Sequence, residues 1–269
     1  MRTFSALRML LVAGALGASA PALAFDPTVD APTPAAAFQI GYAAYQAGDL
    51  ATAVAAIGYA AAQGYARAEW LLGQMYAKGE GVDRDDHMAF EIFAGLAAGH
   101  ANDNPRGADA VFIADAYVAL GDYYRKGGTA VAVADGERAR LLYLHAATYF
   151  ADADAQFNLA AMFYAGEIGV ADPVQAVRWA RLAAENGSPA AQGLLGYLLF
   201  EGEGVTRQPV LGLAYLTIAI MRSPGAAPDL QRMHEHAFSV ATEVERRTAF
   251  ALAENWLAAN NVVAQRTEP

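Results

Sequence analysis

The chain has 269 residues, a formal net charge of −10 and no cysteine. Without cysteine it forms no disulfide, offers no thiol nucleophile and carries no lipid-modified cysteine. Its acidic excess repels phosphate groups, so we expect neither nucleic acid nor anionic lipid as a partner.

The first 24 residues have the three parts of a cleavable signal peptide. Arg2 and Arg8 give a positive start, residues 9–18 are apolar, and Ala22-Leu23-Ala24 is a small-x-small cleavage pattern. This run is too short to cross about 30 Å of hydrocarbon comfortably. We expect cleavage after Ala24, a periplasmic or secreted protein, and no transmembrane span afterwards. Loss of the two arginines leaves 16 basic and 28 acidic residues, a net charge of −12.

Residues 25–37 hold three prolines and little that could pack, so they are predicted to be an extended linker. Four similar stretches then follow: LGQMYAKGEGV at 72–82, LGDYYRKG at 120–127, LAAMFYAGEIGV at 159–170 and LGYLLFEGEGV at 195–205. Their marker glycines, at 79, 127, 166 and 202, are separated by 48, 39 and 36 residues. A period near 34–40 residues indicates units that stack because none can bury its apolar face alone.

Each repeat is predicted to be a pair of helices. Apolar residues recur at spacings of three and four, and glycines end the first helix. Asp172-Pro173 and Ser188-Pro189 are typical helix starts, whereas Gln208-Pro209 has the proline without a good cap. Small residues at fixed places predict close helix approach: Gly73, Gly121, Ala160 and Gly196 on first helices, and Ala89, Ala176 and Gly212 on second helices.

The repeats are flanked and interrupted by less regular segments. Residues 43–64 form a shorter unit that lacks the second Gly-Val, and residues 101–114 are an insertion that accounts for the 48-residue separation. After Ser223-Pro224-Gly225, residues 229–260 are predicted to form one long helix or two. A more polar end element of this kind would close the stack.

These residues resemble Sel1-like repeats, a subclass of the tetratricopeptide family. The first repeat matches best, with Leu72, Gly73, Tyr76, Gly79, Gly81, Val82 and Asp85 in family positions. The fourth departs at Leu199 and Gln208, the third has an extra residue between its glycines, and the second is the weakest. The resemblance implies an all-α solenoid over residues 38–221 with a C-terminal helical cap and tail over 222–269. It also implies a protein- or peptide-binding adaptor of the bacterial envelope, with no catalytic residue and no cofactor.

In tetratricopeptide proteins a peptide lies in a groove lined by first-helix side chains. Carried over by alignment, the groove residues are Arg67, Trp70, Gln74, Lys78, Asp122, Arg125, Phe157, Tyr164, Tyr197 and Phe200. Aromatic anchors among a few charges suit peptide binding. Core packing between repeats explains each ring equally well, because aromatic residues dominate both peptide grooves and cores.

Other candidate chemistry is weak. His234-Glu235-His236 places two histidines on opposite sides of a helix, so a surface role is favoured over metal binding. Ser188 is expected to be a helix cap, not a nucleophile. The polar residues 102–104 with Asp109 and Asp115 lack the spacing of a calcium loop. We predict neither a metal site nor an enzyme.

Two alternatives remain at this point. The chain could be an envelope hydrolase acting on cell-wall or small-molecule substrates, or it could serve mainly for homo-oligomerisation through its C-terminal helix. Its partner, pathway and oligomeric state, the preference for an extended or a helical peptide, and the role of the 101–114 insertion are not fixed by the sequence.

Overall fold

The computed structural model describes residue 25 and residues 33–127, 132–223 and 228–266, with side chains through residue 260. The predicted signal peptide, residues 1–24, lies outside the described residues. The residues that the structure describes form twelve helices and no strand, which confirms the all-α prediction. The helices are α1 Pro34–Ala47, α2 Leu50–Ala62, α3 Ala66–Lys78, α4 Asp86–Gly99, α5 Ala110–Lys126, α6 Gly136–Tyr149, α7 Ala153–Ala165, α8 Pro173–Glu185, α9 Pro189–Glu201, α10 Pro209–Arg222, α11 Pro228–Val240 and α12 Glu243–Arg266.

The chain divides into two compact units, with the boundary between Leu142 and Tyr143 inside α6. In the first unit each of α1 to α4 packs against the next helix, and α3 also contacts α5. In the second unit α7 to α10 pack in the same way, and α7 also contacts α9. Contact between the first helices of successive repeats is the stacking expected of an α-solenoid.

Helix ends follow the local signals in the sequence. Asp172 accepts a hydrogen bond from the Gln175 amide at 3.0 Å, and Ser188 accepts one from the Ala191 amide at 3.3 Å. Gln208 makes no side-chain cap, as its chemistry predicts. Gly202 ends α9 with a φ of 81°, which a residue with a Cβ seldom adopts.

Small residues bring paired helices close together, as predicted. A Cβ on Gly196 of α9 would lie 2.8 Å from the carbonyl oxygen of Gly212 on α10. A Cβ on Gly212 would lie 2.6 Å from the Gly196 carbonyl oxygen. In the first unit a Cβ on Gly73 would lie 2.5 Å from the Phe93 ring.

The predicted linker contributes to the core at its first residue. The Phe25 side chain is 9% exposed, and its ring centroid lies 5.9 Å from that of Tyr59 on α2. The first helix begins at Pro34, four residues before the predicted start of the repeats, and Thr33 caps it. The expectation that this segment has little to pack is therefore wrong for Phe25.

The C-terminal segment forms two helices. Helix α11 packs against α9 and α10, and α12 packs against α10. Ala237 of α11 and Ala249 of α12 share a buried cluster with Phe200, Leu213 and Leu216. The second unit therefore continues beyond the last repeat, and both helices cover apolar side chains of α9 and α10.

Candidate functional site

The predicted groove residues of the first repeat lie on α3, and two of them contact residues 108–112. Arg67 Nε donates to Asp109 Oδ1 at 2.7 Å and its Nη2 to the Ala108 carbonyl at 3.1 Å. The Phe112 ring centroid lies 5.5 Å from the guanidinium carbon of Arg67 and 5.5 Å from the Trp70 ring. The end of the insertion therefore packs against the surface that the sequence assigned to a ligand.

The remaining predicted residues of the first unit are polar and lie at or near the surface. Gln74 is half-buried and Lys78 is exposed at the end of α3. On α5, the half-buried Asp122 accepts a hydrogen bond from Lys126 at 3.4 Å, one helical turn away. Arg125 is half-buried on the same helix.

In the second unit the structure brings two predicted tyrosines together. The rings of Tyr164 on α7 and Tyr197 on α9 meet edge to face, with centroids 6.2 Å apart. The pKa of Tyr164 is raised, first by burial and then by its interactions with Tyr197 and Glu203. Phe157 is partly buried and packs against the same core, which α7, α8 and α9 form. We call Tyr164, Tyr197 and Glu203 the tyrosine cluster.

Phe200 was predicted as a groove residue, and this prediction is wrong. Its side chain is 1% exposed and lies in the core with Leu213 and Leu216. The Arg207 guanidinium carbon lies 5.1 Å from the centre of its ring. Helix α9 is largely apolar around its circumference, a pattern typical of a buried helix, and α7, α8, α10 and α11 all pack against it.

The glutamate between the two glycines of the turn has a role that was not recognised from the sequence. Tyr45 Oη of α1 donates to Glu80 Oε2 at 2.6 Å, and this hydrogen bond is the main reason that the pKa of Tyr45 is raised. Glu203 occupies the same place in the fourth repeat and interacts with Tyr164. The recurrence of Gly-Glu-Gly at 79–81 and 202–204 was the available signal.

A polar position that is buried in the third and fourth repeats also went unrecognised. It lies four residues before the small packing residue of each first helix. Tyr117 donates to the Ala97 carbonyl at 3.1 Å, and Gln156 Nε2 donates to the Ala147 carbonyl at 3.2 Å. At the same position Gln192 is 0% exposed and accepts a hydrogen bond from Arg222 at 2.9 Å. These side chains hydrogen-bond to neighbouring helices, so their role is in packing between helices, both within a repeat and between repeats.

The two histidines of the His-x-His motif have separate partners. His234 Nε2 lies 3.2 Å from Thr217 Oγ1 and is half-buried, whereas His236 Nε2 lies 3.2 Å from Glu201 Oε1. The surface role expected for the motif is therefore wrong for His234. Within the described part of the chain, no group of three or more His, Asp or Glu side chains is placed to hold a metal ion.

Residues of the insertion were considered above as calcium ligands. In the structure they form hydrogen bonds within the chain. Asp103 Oδ2 lies 2.7 Å from His100 Nδ1, and Asn104 accepts from the Arg106 amide at 3.0 Å. Asp109 accepts a hydrogen bond from Arg67.

None of the helices that the structure describes is both long and apolar enough to cross a bilayer.

The stacked pairs of helices match a known protein family. The Sel1 repeat model matches this chain four times, at residues 66–94, 114–148, 153–188 and 189–223. The chain belongs to the Sel1 repeat family. The four matches cover α3 to α10, so in this Sel1 repeat protein the helices α1, α2, α11 and α12 lie outside the matched repeats.

Two curated relatives resemble this Sel1 repeat protein over nearly their whole length. One, from Rhizobium meliloti (strain 1021), is 39% identical over 254 residues, covering 93% of this chain and 92% of the relative. The other, from Rhizobium leguminosarum bv. viciae, is 38% identical over 250 residues, covering 91% of each chain. Both are named exopolysaccharide production negative regulator.

A solved structure shares the fold. The crystal structure of a Sel1 repeat protein from Oxalobacter formigenes superimposes with a TM-score of 0.62 at 22% identity. The alignment covers 88% of this chain and 89% of that chain. At this identity the likeness supports the stacked helical repeat fold alone.

Proposed function

We propose that this Sel1 repeat protein is an exported adaptor that binds a protein in the cell envelope and thereby lowers exopolysaccharide production. One observation carries the regulatory part of the proposal. Two relatives named exopolysaccharide production negative regulator align with 93% and 91% of this chain at 39% and 38% identity. Alignment of that extent leaves little of either chain to supply a different function.

The adaptor part of the proposal is supported by the repeat architecture. Sel1 repeats stack first helices side by side, which presents side chains from several repeats on one surface. In the second unit that surface carries the tyrosine cluster, where two half-buried rings adjoin a carboxylate. Rings of this kind supply much of the binding energy in protein interfaces, and the carboxylate favours a partner segment with a Lys or Arg side chain.

The envelope location rests on the sequence. Arg2, Arg8, the apolar run and Ala22-Leu23-Ala24 follow the order of a bacterial export signal. The acidic balance of the remaining chain and its lack of cysteine agree with an exported protein that has no disulfide.

The regulatory role is tested by complementation. The full-length gene is expressed in a Rhizobium meliloti strain that lacks its own exopolysaccharide production negative regulator, and exopolysaccharide is measured. We expect the full-length chain to lower exopolysaccharide output and a chain that begins at residue 25 to fail. Activity of the shorter chain would contradict the envelope location, and failure of both folded chains would contradict the regulatory role.

The binding surface is tested with paired variants. Tyr164→Ala with Tyr197→Ala should abolish the lowering of exopolysaccharide, because both rings of the tyrosine cluster are lost. Leu182→Ala removes a side chain that is 45% exposed on α8 and is the matched control. Melting temperatures check that both variants fold. Full activity of the folded double variant would rule out the tyrosine cluster as the binding surface.

A further inference from the structure

The last helix presents an uncharged face that no other described part of the chain covers. Val244 and Leu252 of α12 are 75% and 43% exposed, and Thr248, Ala251 and Asn255 between and beyond them are exposed too. The opposite side of α12 holds Ala249 and Ala253, which are fully buried. A helix that ends a stack of repeats is expected to be polar on its outer side.

The spacing on this face is that of a helix that pairs with another helix. Val244, Thr248, Ala251 and Asn255 are separated by four, three and four residues, which keeps them on one line along the helix. Side chains of this size allow two helix backbones to approach closely. Leu252 lies beside the same line and adds apolar area at its edge.

Opposite charges border the face on one side. Arg247 and Glu254 are exposed and seven residues apart, so they lie about 10.5 Å apart along the same flank of the helix. Arg247 donates to Glu243 at 2.8 Å, with 81% and 78% of the two side chains exposed. An exposed pair of this kind contributes little stability and can be exchanged for another.

We propose that a second copy of this chain packs its α12 antiparallel against this face, about a two-fold axis. Thr248 of each copy then lies opposite Ala251 of the other, and Val244 lies opposite Asn255. In this register Arg247 of each copy meets Glu254 of the other, so the charge pair forms twice. This inference concerns self-association and does not depend on the proposed regulatory function.

The charges also specify the register. Sliding one helix by a heptad in one direction places Glu254 opposite Glu254, and sliding it in the other direction places Arg247 opposite Arg247. Either slip replaces attraction with repulsion, and like charges across a helix pair disfavour it. Of these three registers, only the proposed one pairs Arg247 with Glu254 in both symmetry-related contacts.

The test is sedimentation velocity on the whole mature chain over a wide dilution series. We expect a concentration-dependent dimer. Glu254→Arg leaves the Arg247–Glu243 pair intact and should weaken dimerisation about tenfold, because two attractive contacts become two repulsive ones. Arg247→Glu should do the same, and the double variant R247E/E254R should restore the affinity of the original chain.

Two further variants distinguish an effect on the dimer interface from an effect on folding. Val244→Glu places a charge on the uncharged face and should abolish the dimer with no change in melting temperature. Arg181→Glu on the exposed side of α8 is a matched charge reversal that should leave dimerisation unchanged. A chain that stays monomeric at every concentration would overturn the proposal. So would a dimer that ignores both single reversals or is not rescued by the double variant.

Discussion

At the scale of single residues, Gly196 on α9 and Gly212 on α10 have no room for a side chain. A Cβ on Gly196 would lie 2.8 Å from both the Gly212 oxygen and the Leu216 nitrogen, which are backbone atoms that cannot rotate away. We expect Gly196→Ala to lower the free energy of unfolding by about 1–3 kcal/mol, because the two helices must separate. Urea unfolding followed by circular dichroism measures the change.

A second glycine provides the control for this prediction. Gly99 is the last residue of α4, and a Cβ there would have no neighbour within 4 Å. Gly99→Ala should leave stability unchanged or raise it by up to about 1 kcal/mol, because alanine favours the helical backbone. Equal losses in the two variants would show that the close approach of α9 and α10 is not the cause.

Gln156 is the centre of a buried hydrogen-bonded group in the second unit. It is 3% exposed, its Nε2 donates to the Ala147 carbonyl, and its Oε1 accepts from Asn186 at 2.9 Å. Gln156→Met keeps the volume but leaves both partners without their hydrogen bond, so we expect a loss of about 1–3 kcal/mol. Because Asn186 also donates to the Ala151 carbonyl, Asn186→Ala has a cost of its own.

The double variant distinguishes a shared hydrogen bond from two separate effects. If Gln156 and Asn186 act together, the loss in the double variant is smaller than the sum of the two single losses. Strict additivity in urea unfolding would show that the contact between the two side chains contributes nothing.

At the scale of elements, burial at the contact between α10 and α11 favours the neutral form of His234. Burial lowers the pKa of His234, and the smaller effect of Glu235 acts in the opposite direction. Thr217 donates to the Leu213 carbonyl at 2.8 Å, so His234 Nε2 donates to the Thr217 oxygen. Below the ordinary histidine pKa of about 6.5 the unfolded chain binds a proton that the folded chain resists, and stability falls as the pH falls.

His234→Gln tests this pH dependence. Glutamine can donate to Thr217 but does not titrate, so the variant should lose less stability than the original chain between about pH 7.5 and pH 5.5. His87→Gln, at an exposed position on α4, is the control and should keep the original dependence. Parallel curves for the original chain and His234→Gln would contradict the assignment.

The helices themselves could be predicted from local sequence, but the segments that pack over them from elsewhere in the chain could not. Asp172, Ser188 and Gly202 act within a few residues of the helix ends that they set, so their types were sufficient. Arg67 and Asp109 are 42 residues apart, and no periodicity connects the insertion to α3. The prediction that Phe200 lines the groove was wrong for a related reason, because residues from Ala237 onward help to bury its ring.

At the scale of the whole molecule, the C-terminal helices serve the second unit as its cover. Without them Phe200, Leu213 and Leu216 would lose the buried contact with Ala237 and Ala249. A chain that ends at Ser223 should therefore aggregate or lose its cooperative melting transition, as repeat arrays without a capping element do. Light scattering and circular dichroism measure both effects. A chain that ends at Asn260 keeps these contacts and should behave as the full chain does.

The arrangement of repeats could be predicted from the sequence, whereas which of the predicted groove side chains stay uncovered could be predicted only in part. Tyr164 and Tyr197 lie together as two neighbouring first helices require, because their positions follow from the repeat period. Trp70 was chosen by the same alignment, yet it packs against Phe112. Alignment places a side chain on a helix face, whereas inserted segments decide whether that face stays open.

The burial of Phe25 gives the predicted processing step a structural consequence. If the signal peptidase cuts after Ala24, the new amino terminus is a residue whose ring packs against Tyr59. A cut placed one residue later, or trimming by an aminopeptidase, would remove that ring and leave a void beside α2. The accuracy of maturation would then set the thermal stability of the first unit, and N-terminal heterogeneity would be visible as a second, lower melting transition.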